Sequence, residues 1–152
     1  DDGVLVDASL RTSDPDIVAV GDIAAAEHPL LGTRVRVEHW ANALNQPAVA
    51  AAAMLGWEAT YDRLPYFFTD QYDLGMEYVG LAPRDARVVT RGDVRGRQFL
   101  AFWLDDARLV RAGMNVNIWD AGDDIRALIA SGAPVDPDRL ADTDVPLSEL
   151  TA

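Results

Sequence analysis

Gly3-Val-Leu-Val-Asp-Ala-Ser-Leu-Arg-Thr-Ser-Asp-Pro-Asp-Ile-Val-Ala-Val-Gly-Asp22 is the stretch on which the reading of this chain turns. Gly3 to Val6 alternate as a first strand, and Leu10 to Asp16 form a polar return with Asp14-Pro15 as turn chemistry. Ile17 to Val20 is a short β-branched run that Gly21 stops. The pattern predicts a short hairpin that delivers one carboxylate, Asp22, to the end of a buried strand. A Gly-Asp pair at that place allows close backbone approach to a ligand, with an acceptor beside it. It equally suits a turn in which Asp22 caps a following helix.

Composition bounds what can be built outward from this stretch. The 152 residues suffice for one ordinary domain, or a small domain plus a piece of another. With 49% apolar and 25% charged residues the balance is that of a globular protein. A formal charge of −12 argues against nucleic acid or an anionic membrane as partner, since both favour basic surfaces. The absence of cysteine removes disulfides, thiolate metal sites and cysteine nucleophiles together, and fits a cytoplasmic protein. His28 and His39 have neither triad nor metal-site spacing, so no metal is expected.

After Asp22, Ala24 to Ala26 read as one helical turn, His28-Pro29 and Gly32 as a loop, and Arg34 to Val37 as a short extended piece. The strongest helical signal opens at Glu38-His-Trp40. Trp40, Leu44, Ala48, Ala51 and Leu55 fall on one apolar stripe, and Gly56 suits the C-terminal stop. Pro47 predicts either a kink or a second helix capped by Asn45. Residues 57–65 read as a linker, which places the domain boundary between 1–56 and 57–152. Tyr66 to Tyr72 then carries four aromatic residues in seven, as a strand end in a core or a rigid surface for a partner. Asp70 and Asp73 read as turn and cap residues.

From Gly75 onward the spacing is that of an antiparallel meander. The strands are Met76–Leu81, Ala86–Arg91, Gln98–Leu104 and Arg108–Val116, separated by Gly/Asp turns. Arg91-Gly-Asp93 reads as part of a hairpin. A helix follows over 119–131 with Ile125, Leu128 and Ile129 on one face and Gly132 as its stop, then a short helix or turn at 134–140.

Three of these stretches resemble one family. Gly3 to Asp22, with its Gly-x-x-Val-Asp opening and Arg11-Thr-Ser13 centre, is similar to the second flavin-binding motif of FAD-dependent, NAD(P)H-linked reductases with two dinucleotide domains. Arg36-Val-Glu-His-Trp-x-x-Ala-x-x-Gln46 resembles the ferredoxin-reductase segment whose helix points its N-terminus at the flavin pyrimidine. Pro65 to Asp73 resembles the Pro-x-Phe-Trp-Ser-Asp-Gln-Tyr-Asp opening of the C-terminal domain of putidaredoxin-reductase-type enzymes, with Phe68 in place of Trp and Thr69 in place of Ser. The resemblance implies that Asp22 hydrogen-bonds the ribityl chain of FAD. It puts Val37, Glu38, His39 and Trp40 at the isoalloxazine edge, mainly by backbone donation. It puts Phe68 over the flavin face, with Tyr66, Phe67 and Phe68 where an iron–sulfur protein docks. Without it, the helix reads as an amphipathic core helix anchored by Trp40. An acid/base pair of Glu38 and His39 is disfavoured because adjacent helical residues point apart.

No Gly-x-Gly-x-x-Gly occurs, so the folds that hold the FAD pyrophosphate and NAD(P)H are missing. The expectation is an α+β chain. An antiparallel meander sheet packs with C-terminal helices, preceded by the last strands and helix of an FAD-binding α/β domain. It would be the last third or so of a flavoprotein that passes electrons from NAD(P)H through FAD to a [2Fe–2S] ferredoxin serving an oxygenase or cytochrome P450. The chain alone would be inactive, with no catalytic acid or base of its own. Two other readings stand beside it. One is a related rubredoxin/nitrite reductase or apoptosis-inducing-factor-like flavoprotein. The other is a non-catalytic interaction module whose aromatic patch binds a partner or pairs two copies as a homodimer.

Overall fold

The computed structural model describes residues 2–150. It divides into two compact units, Asp1–Pro65 and Tyr66–Ala152.

In the first unit, strand β1 (Val4–Val6) runs parallel to β2 (Ala24–His28), which pairs antiparallel with β3 (Thr33–Arg36). The order is β1-β2-β3. Two expectations give way here. Ala24 to Ala26 lie in β2 instead of a helical turn, because pairing on both sides overrides alanine's helical preference. Ile17 to Val20 is not the partner of the first strand: that place is taken by β2, and the run keeps a single bridge, Arg11 to Val18. The return between them closes locally. The Asp7 carboxylate accepts from Ser9 and Arg11 N–H, and the Asp14 carboxylate from Asp16 N–H. Val6, Leu10, Ala19, Ala24, Ala26, Ala50 and Tyr61 form the core of this unit.

Helix α1 (Trp40–Met54) passes unbroken through Pro47. It ends in the double hydrogen bond of a Schellman motif, Gly56 N–H to the Ala53 carbonyl and Trp57 N–H to that of Ala52, with Gly56 at φ 77°. Its faces are the reverse of the expected ones. Trp40 is 70% exposed, and Leu44 and Leu55 are exposed too, whereas Asn42, Gln46, Ala50 and Ala53 are buried. The inward polar residues answer backbone groups that lie outside the helix: Asn42 donates to the Val37 carbonyl at 3.1 Å, and Gln46 accepts from Gly21 N–H at 2.7 Å.

Residues 57–65 run without regular structure along the first unit. Tyr61 donates its N–H to the Ala8 carbonyl and buries its ring, and the Ser9 hydroxyl bonds the Ala59 carbonyl. The compact units therefore divide after Pro65, later than the 56/57 boundary read from the sequence. His28 is a structural histidine. Its Nδ1 accepts from Leu31 N–H, so Nε2 carries the proton and donates to the Arg63 carbonyl at 2.9 Å.

The second unit is a five-stranded antiparallel sheet: β4 (Tyr66–Gln71), β5 (Leu74–Gly80), β6 (Arg87–Asp93), β7 (Gln98–Leu104) and β8 (Val110–Val116). The spatial order is β4-β5-β8-β7-β6. Three strands thus follow one another as a meander, while the β4–β5 hairpin joins at β8 and leaves β4 and β6 as edges, a Greek-key arrangement. Asp70 lies in β4 opposite Gly75 and is not a turn residue. Helix α2 (Gly122–Ser131) and the short α3 (Pro137–Ala141) cover one face. On that face of the sheet Phe102, Leu100, Leu104 and Val89 are buried, as are Ile125, Leu128 and Leu140 of the two helices. Asp136 caps α3 by accepting from Asp138 and Arg139 N–H, bonds that hold its carboxyl below the usual range.

Candidate functional site

The first unit gathers the residues expected to meet FAD around one arginine. Gly21–Ile23 form a single 3-10 turn, with Gly21 at φ 74° lying against Ala43 of α1. The buried Gln46 holds Gly21 N–H, which fixes this turn on the N-terminal half of the helix. Asp22 follows with an exposed carboxylate and caps no helix. Its carbonyl accepts from Arg36 Nη1 at 2.8 Å. The same Nη1 meets the Glu38 carboxylate at 2.5 Å, and Arg36 Nε meets Asp2 at 2.9 Å. Arg36 therefore joins the Asp22 backbone to the Glu38 carboxylate through one nitrogen, while its Nε holds Asp2.

Residues 37–40 make the entry to α1. Val37 is buried with its carbonyl taken by Asn42, Glu38 is turned to Arg36, His39 is the N-cap residue, and Trp40 points outward. The helix carries neither a side-chain cap nor an acidic residue in its first turn. Its positive end favours negative charge on whatever lies before it. Arg36 and Gln46 are the positioning residues here. The sequence showed them only as letters of a motif, because each reaches a backbone atom of a distant turn, Arg36 the Asp22 carbonyl and Gln46 the Gly21 N–H.

In the second unit the aromatic run 66–68 lies on the edge strand β4, and strand alternation divides it. Phe67 stacks on one face with Tyr78, at 5.3 Å between centroids, and Tyr78 meets Trp103 edge-on at 5.4 Å. Tyr66 and Phe68 share the other face, 6.4 Å apart, with Phe68 51% exposed. Three strands and a helix fix Tyr66. Its hydroxyl donates to Glu77 at 2.6 Å, and Glu77 accepts from Asn115, which is 1% exposed. The Arg126 guanidinium lies 5.3 Å from the Tyr66 ring centre. Glu77 is also the direct cross-strand partner of Phe68.

Burial first, and then the hydrogen bond to Glu77 and its charge, push the Tyr66 phenol up to about 12. The folded value lies above the unfolded 10.0, so folding favours the protonated phenol. That contribution is fully present below pH 10 and is lost as the pH rises towards 12. Tyr66→Phe is expected to delete the ultraviolet absorbance step near pH 12 and to remove the matching loss of stability. A step left unchanged in this variant would show that Tyr66 is not the late-titrating phenol.

No helix among the described residues is long and apolar enough to cross a membrane. A five-stranded antiparallel sheet backed by two helices, opening on an aromatic edge strand, defines a domain class with known members. Residues 66–151 match the family described as reductase C-terminal, and the chain belongs to that family. It is 45% identical over 151 residues to the ferredoxin–NAD(+) reductase component of the anthranilate 1,2-dioxygenase system of Burkholderia cepacia, across 97% of this chain and 36% of that protein. It is 44% identical to the ferredoxin reductase subunit of 5,5'-dehydrodivanillate O-demethylase from a Sphingobium strain, across 99% of this chain and 36% of that protein. Among solved structures, the covalent putidaredoxin reductase–putidaredoxin complex matches with a TM-score of 0.87 and 35% identity, across 99% of this chain and 36% of that one. The chain thus spans a little over a third of the length of these relatives.

Proposed function

We propose that this chain is the C-terminal part of an FAD-dependent, NAD(P)H-linked ferredoxin reductase. The first unit, residues 1–65, would close its flavin-binding domain, and 66–152 would form its interface domain. The observation that carries the reading is the Gly21-Asp22 turn, held by Gln46 against the uncapped start of α1. An exposed carboxylate beside a positive helix end fits a ribityl hydroxyl and a pyrimidine edge together. When bound, FAD would supply the redox chemistry, taking electron pairs from NAD(P)H and releasing single electrons to a [2Fe–2S] protein of an oxygenase or cytochrome P450 system. The residues here bind and orient. Asp22 accepts from the ribityl chain, the backbone of 37–40 faces the pyrimidine, and Arg36 keeps the two elements in register. Phe68 and Tyr66 present the edge that meets flavin and partner, and Phe67 braces it from behind.

No residue of this chain is assigned a proton-transfer role, and alone it is not expected to oxidise NAD(P)H. The relatives named above, components of oxygenase and demethylase systems, support this reading over a non-catalytic module. In a reductase that contains this chain, Asp22→Ala should weaken FAD retention about tenfold to a hundredfold, the loss of a charge-assisted hydrogen bond, with the thermal midpoint of the apoprotein unchanged. FAD held as tightly as before would overturn the assignment.

A further inference from the structure

The loop between β8 and α2 carries a tryptophan whose setting has no explanation in folding alone. Trp119 is 58% exposed, so its burial contributes little to the core. Yet its place is held from several sides. Asn117, in the left-handed region at φ 51°, donates its N–H to the Gly75 carbonyl at 3.0 Å and accepts from Gly75 N–H through Oδ1 at 2.8 Å. Its side-chain amide reaches the Asp73 carbonyl at 3.3 Å. The loop is thereby fastened to the β4–β5 hairpin, and the indole comes down on Gly75. A Cβ at position 75 would run into the ring.

Gly75 pairs with Asp70, and Phe68 pairs with Glu77 two residues along the same ladder, on the same face. Trp119 therefore sits over the diagonal neighbour of Phe68, on the face that Phe68 and Tyr66 share. A rigid, amphipathic side chain kept half in solvent by a purpose-shaped seat is the chemistry of an interface anchor.

We infer that Trp119 is a second anchor for the iron–sulfur partner, continuous with Phe68 and seated by Gly75. The inference rests on the docking reading of the β4 edge and names a residue that reading does not contain. The occupant is the iron–sulfur protein because the indole extends the same edge on the same face, and the exposed Asp70, two residues from Phe68 and opposite Gly75, supplies a polar rim.

The test titrates the 152-residue chain with an oxidised [2Fe–2S] ferredoxin and follows tryptophan emission, which a cluster absorbing in that band quenches by energy transfer. Wild type should be quenched. Trp119→Ala should bind about tenfold more weakly, as expected for an aromatic anchor. Trp119→Phe should retain more of the affinity but lose most of the quenching. Gly75→Ala, which keeps the indole but removes its seat, should resemble Trp119→Ala. Phe68→Ala is run in parallel to separate the two ideas. If it weakens binding while all Trp119 variants match wild type in affinity and quenching, the anchor is overturned and the docking edge stands. If no form is quenched, or Phe68→Ala binds normally, the docking edge itself is overturned and Trp119 with it. A Trp119→Ala effect confined to self-association, measured by sedimentation, would assign the indole to a second copy of the chain and likewise overturn the inference.

Discussion

Phe102→Ala is expected to lower the thermal midpoint of the second unit by about 15–30 °C. The ring is fully buried at the centre of β7, opposite Val89 on β6 and Gly113 on β8. It shares the helix-covered face with Ile125 and Leu128, each 1% exposed. Two neighbours cannot relax into the space it would leave. Gly113 has no side chain, and Ile125 already rests over it so closely that a Cβ there would collide. A cavity that cannot collapse puts the cost near the upper part of the range for large-to-small substitutions, about 3–5 kcal/mol. Val88→Ala is the control. Val88 is on the opposite face and exposed, and its loss should stay within about 0.5 kcal/mol. Circular dichroism melts of both variants decide the matter. A Phe102→Ala loss no larger than that of the control would mean that the helices do not pack on this face in solution.

The second large effect is expected at Arg91, where a single guanidinium organises the tail after α3. Nη1 donates to the carbonyls of Leu140, at 3.3 Å, and Asp142. Nη2 donates to those of Thr143, at 3.4 Å, and Val145, at 2.7 Å. These carbonyls lie on a segment with no strand partner, so the arginine does for them what a ladder would do. Arg91→Met keeps most of the aliphatic stem and removes every donor. The expected cost is about 2–3 kcal/mol, the range for hydrogen bonds to a charged group. It should appear as rapid proteolysis within 140–150 before the sheet unfolds. Arg91→Lys should recover less than half of the loss, because a compact ammonium cannot reach four carbonyls arrayed around a plane. Equal proteolytic resistance in wild type and Arg91→Met would show that the tail is held by Leu147 and Leu150 alone.

What could be read from the letters follows from how local each cause is. The extent of β7 and the C-terminal ends of α1 and α2 were legible because turn residues and caps are encoded next to the element they end: Gly56 and Gly132 both take the left-handed conformation expected of them. The face that α1 buries was not legible. Hydrophobic periodicity assumes that apolar residues point inward, but Asn42 and Gln46 are drawn in by the Val37 carbonyl and the Gly21 N–H, groups no window centred on the helix contains. β2 was misread for a related reason, since Ala24 to Ala26 become a strand through partners on two other segments. The sheet order was beyond reach because β5 and β8, adjacent in space, have two strands between them in the chain. At the candidate site the sequence picked out Asp22, 37–40 and Phe68. It missed Arg36 as the side chain that ties the Asp22 carbonyl to the Glu38 carboxylate, and it took Trp119 for the start of a helix. Neither role shows except through register and geometry.

Gly75 and Trp119 also tie the history of two distant positions together. While an indole occupies 119, a side chain at 75 is admitted only by pushing the ring off its seat, so a mutation there is tested against the ring before anything else. Once 119 has become small, alanine at 75 no longer meets a ring, and a later return of tryptophan at 119 finds its seat filled by the methyl group. The epistasis is directional: a change at 75 made first displaces the indole, whereas made after 119 has become small it does not, and it then acts as a ratchet. Lineages of this domain should therefore carry glycine at 75 wherever they carry an indole at 119, and a lineage that has filled 75 should not have regained it.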